Sequence, residues 1–344
     1  MSTSTVPFLI AKAHAYHSSS PTLEQVHSMA QANTLSEIES ILQQTHYGKI
    51  LSEVRPSVNL IDFEVALRRD YADLLTRYQR AASLDTSDML KAFELTIEAE
   101  NMNMILQAIL RENVTDDLKN NIIPVGKFGM EYYERMMGTT RVDAAIDFIL
   151  DRTLRKVAEN AFQMSNDPDE QVFFLASGLS HAAYRNLHKI VPIWTKRVIE
   201  TRNLITAARS VGMGIDPMPW MMDNGGPMYK AGPMFANMKS TREIFTYALN
   251  HHFPYPHLIE MALGAEDDKM VTEFEHNTQL ERYYYHRRSF RIFGNRNESI
   301  LDFFFIKKAE IEDISRILLG TLKGISTDTI MEMLALPLYR RKQT

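Results

Sequence analysis

Apolar residues recur along this chain at spacings of three and four far more often than two, the period of a helix that buries one face. Residues 63–80 show it in Phe63, Ala66, Leu67, Leu74, Leu75 and Tyr78. Residues 142–162 repeat it in Val142, Ile146, Ile149, Leu150, Leu154 and Val157. Strand-like alternation bounded by turn residues is nearly absent, and the apolar run Phe303, Phe304, Phe305, Ile306 sits inside a longer helical pattern. Ser36, Thr86, Ser240 and Thr327 each precede a periodic segment and are candidate N-caps. The pattern predicts an all-α fold with few or no β-strands.

One stretch breaks the pattern. Residues 212–234 hold five of the fourteen glycines, four prolines and a cluster of methionines. Pro217, Pro219, Pro227 and Pro233 forbid a continuous helix, and Gly225-Gly226 marks a turn. Two readings stay open here. One is an irregular connection folded over the core. The other is an adaptable surface of Met218, Trp220, Met221 and Met222 that docks a partner.

A longer period underlies the helical one. Glu100-Asn101-Met102-Asn103-Met104, Glu200-Thr201-Arg202-Asn203-Leu204 and Glu310-Ile311-Glu312-Asp313-Ile314 share the pattern Glu-x-x-Asn/Asp-apolar. Their flanks agree in register. Ten residues before the Asn/Asp stand Phe93, Ile193 and Phe303; thirteen before it, Leu90, Ile190 and Ile300; five after it, Ala108, Ala208 and Leu318. The second and third copies share Gly214 and Gly324, each followed by Ile, and the first two share Gly126 and Gly226. Ser36-Glu37-Ile38, Thr140-Arg141-Val142 and Ser240-Thr241-Arg242-Glu243-Ile244 open a helical segment in each copy. The sequence therefore predicts a triplicated helical unit, divided at 1–125, 126–235 and 236–344.

At about 100° per residue, the Glu and its four apolar companions fall within about an 80° sector of one helix. A carboxylate thus sits on the packing stripe of each long helix. Burying it unpaired is costly, so each Glu should meet an Arg, a Lys or the backbone N–H groups of another helix. Glu100, Asn103, Glu200, Asn203, Glu310 and Asp313 are accordingly structural groups within their repeats or polar groups facing a central cavity. A three-carboxylate metal site is disfavoured, because helical metal sites usually add His and no Glu-x-x-His occurs.

Composition narrows the chemistry. The 344 residues contain no cysteine, which removes disulfides, Cys-zinc sites, iron–sulfur clusters and thiol nucleophiles. Net charge is −5, against nucleic-acid binding, although residues 282–344 carry a local balance of +5. No apolar run is long enough to span a membrane, and Met1–Ile10 lacks the pattern of a signal peptide. No Gly-x-x-x-x-Gly-Lys-Ser/Thr loop occurs, and Gly212-Met213-Gly214 lacks the rest of a dinucleotide fingerprint. His251, His252 and His257 lie among prolines that break helix geometry, which favours a solvated loop over a metal site. Tyr283, Tyr284 and Tyr285 with Arg282, Arg287, Arg288 and Arg291 offer stacking and charge, with the acidic run Glu266, Asp267, Asp268, Glu273 and Glu275 upstream as an internal counter-charge. The basic tail Arg340, Arg341, Lys342 reads as a solvated end that anionic headgroups could attract.

The triplicated Glu-x-x-Asn/Asp-Leu/Ile helix resembles the C subunit of archaeal A-type and bacterial V/A-type ATP synthases, the counterpart of the d subunit of eukaryotic V-ATPases. Lys308-Ala309-Glu310-Ile311 and Leu318-Leu319-Gly320-Thr321-Leu322-Lys323-Gly324-Ile325 match that family's C-terminal pattern. Ile123-Pro124-Val125-Gly126 and, less closely, Asp223-Asn224-Gly225-Gly226 match its Ile-Pro-Gly-Gly. Asp313 in place of Asn, Val125 in place of Gly, and the Met-rich segment depart from it. The resemblance implies a funnel of three helical units about a pseudo-threefold axis, with no active site, cofactor or metal of its own. It implies a peripheral position on the cytoplasmic face of the membrane, between the central-shaft subunits and the proteolipid ring. No homo-oligomer is required. Met218, Trp220, Met221, Met222, Arg287, Arg288 and Arg291 are the candidate partner contacts. Two other classes remain open: a helical repeat scaffold for cytosolic proteins, and a helical metal-dependent enzyme.

Overall fold

The computed structural model describes residues 6–224, 226–251, 253–292 and 296–335. Gly225, His252 and the basic tail Arg340, Arg341, Lys342 lie outside the described residues. Among the described residues there is no strand. The α-helices in chain order are α1 (Val6–His17), α2 (Leu23–Ala30), α3 (Leu35–Leu42), α4 (Gly48–Leu51), α5 (Leu60–Ala81), α6 (Leu84–Leu110), α7 (Gly129–Met137), α8 (Val142–Asp147) and α9 (Arg152–Gln163). They continue with α10 (Pro168–Ile190), α11 (Pro192–Gly212), α12 (Pro227–Lys230), α13 (Gly232–Phe235), α14 (Thr241–Asn250), α15 (Pro256–Leu263), α16 (Met270–Ile292), α17 (Glu298–Leu322) and α18 (Thr327–Met333). Short 3-10 turns add Asp116–Asn121 and Met218–Trp220.

The helical period places most elements, and side-chain caps set their starts. Thr34 caps α3 by accepting from the Glu37 N–H, and Glu37 Oε2 accepts from the Asn33 N–H. Ser240 repeats this on α14, with Glu243 and Lys239. Ser36 is therefore inside α3 and Thr86 inside α6, each within a turn of the observed helix start and not at a cap, while Ser326 rather than Thr327 caps α18. The predicted helix at 142–162 is two helices. The Asp151 carboxylate accepts from the Thr153 and Leu154 N–H groups and starts α9 afresh, leaving Leu150 exposed between them.

The chain divides into two compact units. The first comprises residues 1–91, 115–130 and 280–344, and the second residues 92–114 and 131–279. In the first, α17 is the axis against which α1, α2, α3, α5 and α18 pack. Its Phe303 and Phe304 meet Tyr78 at ring separations of 5.8 and 5.2 Å, and Phe303 meets Phe290 at 5.9 Å. The apolar run inside a helical pattern is thus the hub of an aromatic core. In the second unit, α10 lies against α9 and α11, and α11 continues onto α14. Leu204, Ala207, Met221, Met228, Phe245, Leu258 and Phe274 form one contiguous core there.

The three long motif helices end alike. Gly214 follows α11 at φ +70°, with the Ile215 N–H reaching back to the Ser210 carbonyl at 2.8 Å. Gly324 follows α17 at φ +65°, with the Ile325 N–H on the Gly320 carbonyl at 2.9 Å. Glu112, at φ +52°, does the same after α6, with the Asn113 N–H on the Ala108 carbonyl at 2.8 Å. This left-handed closure satisfies carbonyls that the helix leaves open, and glycine adopts it without Cβ strain. Gly214→Ala and Gly324→Ala should each cost about 1–2 kcal/mol. Gly212→Ala, at the open end of α11 with ordinary φ and nothing within 4 Å of a new Cβ, should be neutral or stabilising by up to about 1 kcal/mol. Urea unfolding of the three variants ranks them, and equal midpoints would remove the requirement for left-handed ends.

Candidate functional site

The Glu-x-x-Asn/Asp motifs fall on α6, α11 and α17, each deep within a long helix. Their apolar flanks are buried in the first and third copies: Leu90, Phe93, Ile300 and Phe303 are all 4% exposed or less. The second copy differs. Pro192 lacks an N–H and starts α11 with only Val191 between it and the end of α10, so Ile190 and Ile193 stand at an elbow, 42% and 78% exposed. Only the part of the stripe beyond Ile193 packs in this copy, with Glu200, Leu204 and Ala208 buried.

Glu310 carries the most heavily partnered carboxylate. It is buried, and its Oε1 accepts from the Tyr47 hydroxyl at 2.7 Å and from Lys307 Nζ at 2.7 Å. Lys307 Nζ also donates to Tyr47 Oη at 2.7 Å and to His46 Nε2. His46 Nδ1 is 3.0 Å from the Ser19 carbonyl. The assignment that serves every atom is a neutral His46 with its proton on Nδ1. The three ammonium protons then have three acceptors, and the Tyr16 and Tyr47 rings lie 5.1 and 4.2 Å from Nζ. Burial alone would push the Glu310 carboxyl up. The Lys307 charge, with the hydrogen bonds from Lys307 and Tyr47, overcomes it and holds Glu310 below the usual carboxylate range. Burial and the Lys307 charge pull His46 down to about 4. One turn on, Asp313 Oδ1 accepts from the Ala335 N–H at 3.0 Å and from Arg316 at 2.9 Å.

Glu200 is answered differently. Its Oε2 accepts from the Met228 N–H at 2.9 Å, in the first turn of α12, and its Oε1 from the Asn224 side chain at 2.7 Å. A Cβ at Gly226 would overlap Glu200 Oε1, so this glycine is set by close approach of the carboxylate. Asn203 makes a two-way pair with Met222, accepting from its N–H at 2.7 Å and donating to its carbonyl at 2.9 Å. Asn203 and Asp313 thus each anchor the backbone of the segment that follows their helix. Glu100 is 36% exposed at its side chain and pairs with Arg202 at 3.6 Å. Arg202 also donates to Ser180 Oγ at 2.6 Å and lies 4.5 Å over the Tyr184 ring. Asn103 is half-buried on the same helix.

The Met-rich segment is part interior and part surface, with Met213 and Met234 exposed. Met221 and Met222 are buried, and Trp220 stacks on Phe174 at 4.5 Å. Met218 is half-buried and lies against Gly232, which has no room for a side chain there. Arg288 and Arg291 are exposed on α16, Arg287 is half-buried, and Tyr283 is in the core. Arg282 lies 4.8 Å over the Phe305 ring. The acidic run upstream has its own partners: Asp267 with Arg242 at 2.7 Å, Glu266 with Lys269 at 2.5 Å and Glu275 with Arg209 at 2.7 Å. His251 stacks on Tyr247 at 3.7 Å. Among the described residues no three His, Asp or Glu side chains are placed to hold a metal ion, and the donor set around the motif carboxylates is protein N–H and O–H. Sequence reasoning singled out the Glu and Asn/Asp of each copy and missed Lys307, Tyr47 and His46. Lys307, three residues before Glu310 on one helix, was the legible signal; the other two come from 260 residues away.

The family model described as ATP synthase (C/AC39) subunit matches residues 9–333. A curated relative from Thermococcus kodakarensis, named as the C subunit of an A-type ATP synthase, is 25% identical over 204 residues, which cover 57% of this chain and 56% of the relative. Another of the same name, from Pyrococcus abyssi, is 27% identical over 126 residues, 36% of this chain and 34% of the relative. The aligned stretches therefore span about half and about a third of these relatives' lengths.

Lys307→Met strands Glu310 in the core and should cost about 3–5 kcal/mol, whereas Lys307→Met with Glu310→Met should recover most of that loss. Chemical unfolding of the single and double variants measures the difference, and equal losses would show that the charges are not coupled. His46 has a folded pKa of about 4 and an unfolded one near 6.5, so the unfolded chain binds the extra proton between these values. Its contribution to stability is intact above pH ~6.5 and lost as pH falls toward ~4, at up to about 1.4 kcal/mol per pH unit. His46→Gln should make that acid limb shallower, leaving the share of His181, which burial also pulls down to about 4. A limb of unchanged slope would place the linkage elsewhere.

Proposed function

This chain belongs to the ATP synthase (C/AC39) subunit family, and from that premise we propose that it is the non-catalytic central-rotor adapter of a rotary A-type or V-type ATP synthase. It links the central shaft to the membrane proteolipid ring. It passes torque between them during proton or sodium transport coupled to ATP synthesis or hydrolysis. It works at the cytoplasmic face as a peripheral component. No helix among the described residues is long and apolar enough to cross a membrane.

The observation that carries the reading is the fate of the motif polar groups. Glu200, Asn203, Glu310 and Asp313 are buried and bound to backbone or to fixed side chains. A part that transmits torque has to resist bending, and buried, fully satisfied polar networks fix one packing arrangement. We extend the proposal to the repeat itself: units at 1–125, 126–235 and 236–344, arranged about a pseudo-threefold axis, give separated contact points in one register. The candidate partner contacts sort by exposure. Arg288 and Arg291 are exposed and would meet an acidic partner surface, with Arg287 beside them, whereas Met221 and Met222 are buried and Met218 and Trp220 half-buried within the second unit.

A tagged chain recovered from gently solubilised native membranes should bring down shaft subunits and proteolipid, with ATPase activity in the eluate. Arg288→Glu should lower that recovery several-fold without lowering the unfolding midpoint, as expected for an exposed charge that steers a partner. Recovery of unrelated cytosolic proteins, or of the chain alone, would remove the adapter reading and favour a helical scaffold.

A further inference from the structure

The elbow between α10 and α11 combines three features that nothing in the motif explains. The first is charge. Between Glu170 and Glu200 the chain contains no acidic residue, while Arg185, Lys189, Lys196 and Arg197 lie within that span. The second is exposure. Val191 and Trp194 turn inward and are buried, whereas Lys189, Ile190, Pro192, Ile193, Lys196 and Arg197 face out. Lys189 and Lys196 have no ion pair among the described residues. The third is the helix start. α11 has no side-chain cap and no acidic residue in its first turn, so the positive end of its dipole opens at the same elbow.

We propose that this elbow is a membrane-contact tip that seats Ile190 and Ile193 among anionic lipid headgroups. The elbow joins two long helices, and its two exposed isoleucines have an exposed lysine on either side in the chain, Lys189 and Lys196. Lysine is depleted from the cores of protein–protein interfaces. At a lipid surface its stem packs on apolar groups while its ammonium reaches the phosphates. Cations near an anionic leaflet and apolar tips at the acyl boundary act together there. The same two positions of the repeat are buried in the other copies, so their exposure here follows from Pro192 and not from the motif. The inference goes beyond the adapter reading and does not require it.

The chain has no cysteine, so Ile193→Cys in the full-length protein takes a single environment-sensitive dye. On vesicles of phosphatidylglycerol the dye should shift to the blue and brighten. It should not respond to phosphatidylcholine vesicles, and raised salt should weaken the response. The same dye on Met164→Cys, an exposed position on another element, should stay unchanged. Ile190→Ser with Ile193→Ser should lower partitioning onto phosphatidylglycerol vesicles by at least about tenfold. Lys189→Glu with Lys196→Glu should abolish it. Binding through any other basic segment would leave the dye at 193 unmoved and would overturn the proposal, as would a serine variant that binds like the wild type. A response at 193 to an acidic protein from the native complex, and none to vesicles, would also overturn it. Recovery of shaft and proteolipid is scored separately on the same variants. Normal recovery without a vesicle response removes the membrane tip alone, and a vesicle response without recovery removes the adapter reading alone.

Discussion

Glu310 sits on the inner face of α17, where a carboxylate without partners would be strongly disfavoured. The first unit is built around meeting that demand. Lys307 supplies the charge from the same helix, and Tyr47 and His46 bring hydroxyl and imidazole from the turn before α4. Ser19 fixes the imidazole tautomer from the end of α1. Lys307, Tyr47 and Glu310 Oε1 are partners of one another, so displacing any one leaves another unsatisfied. A buried ion pair of this kind adds little net stability compared with an apolar core. Its effect is on uniqueness, because few alternative packings satisfy all of its members.

The three motif copies meet the same electrostatic requirement by three routes. Glu310 takes a lysine, Glu200 takes the backbone N–H of Met228, and Glu100 takes Arg202 at a half-exposed site. The choice follows what each helix packs on. Where the following segment folds back as a short helix, a backbone N–H is presented and the glycine at 226 lets it approach. Where a tyrosine and a histidine cover the site, an ammonium is needed to hold the charge. The Asn or Asp one turn on has a more uniform task in the second and third copies, tying down the chain that leaves the helix. These are properties of a rigid part, and they suit the adapter role proposed for this family member better than a site that must release a proton or a ligand.

The helical class and the long motif helices were legible from the chain alone, because a 3.6-residue apolar period is a local requirement. So was the need for each motif Glu to find a cation or backbone N–H groups, since desolvation of a carboxylate does not depend on the fold. Helix starts were less legible. Thr34 and Ser326 cap where the pattern suggests Ser36 and Thr327, because several Ser and Thr residues near a start compete and packing decides among them. Asp151 divides 142–162 because an Asx cap two residues ahead of a helical pattern is as favourable as continuing it.

Only the tertiary structure decided which partner each Glu receives, since Tyr47 and His46 reach Glu310 across more than 260 residues that no local pattern connects. It also decided that Met221 and Met222 are core and that Ile190 and Ile193 are surface. A methionine has the same sequence signature in a core gap as on a docking face, and an isoleucine in a helical register is expected inside. What separates them is where neighbouring elements lie, and at the elbow that is set by Pro192. The type of a residue limits which contacts it is able to make; its burial depends on what the rest of the chain brings to it.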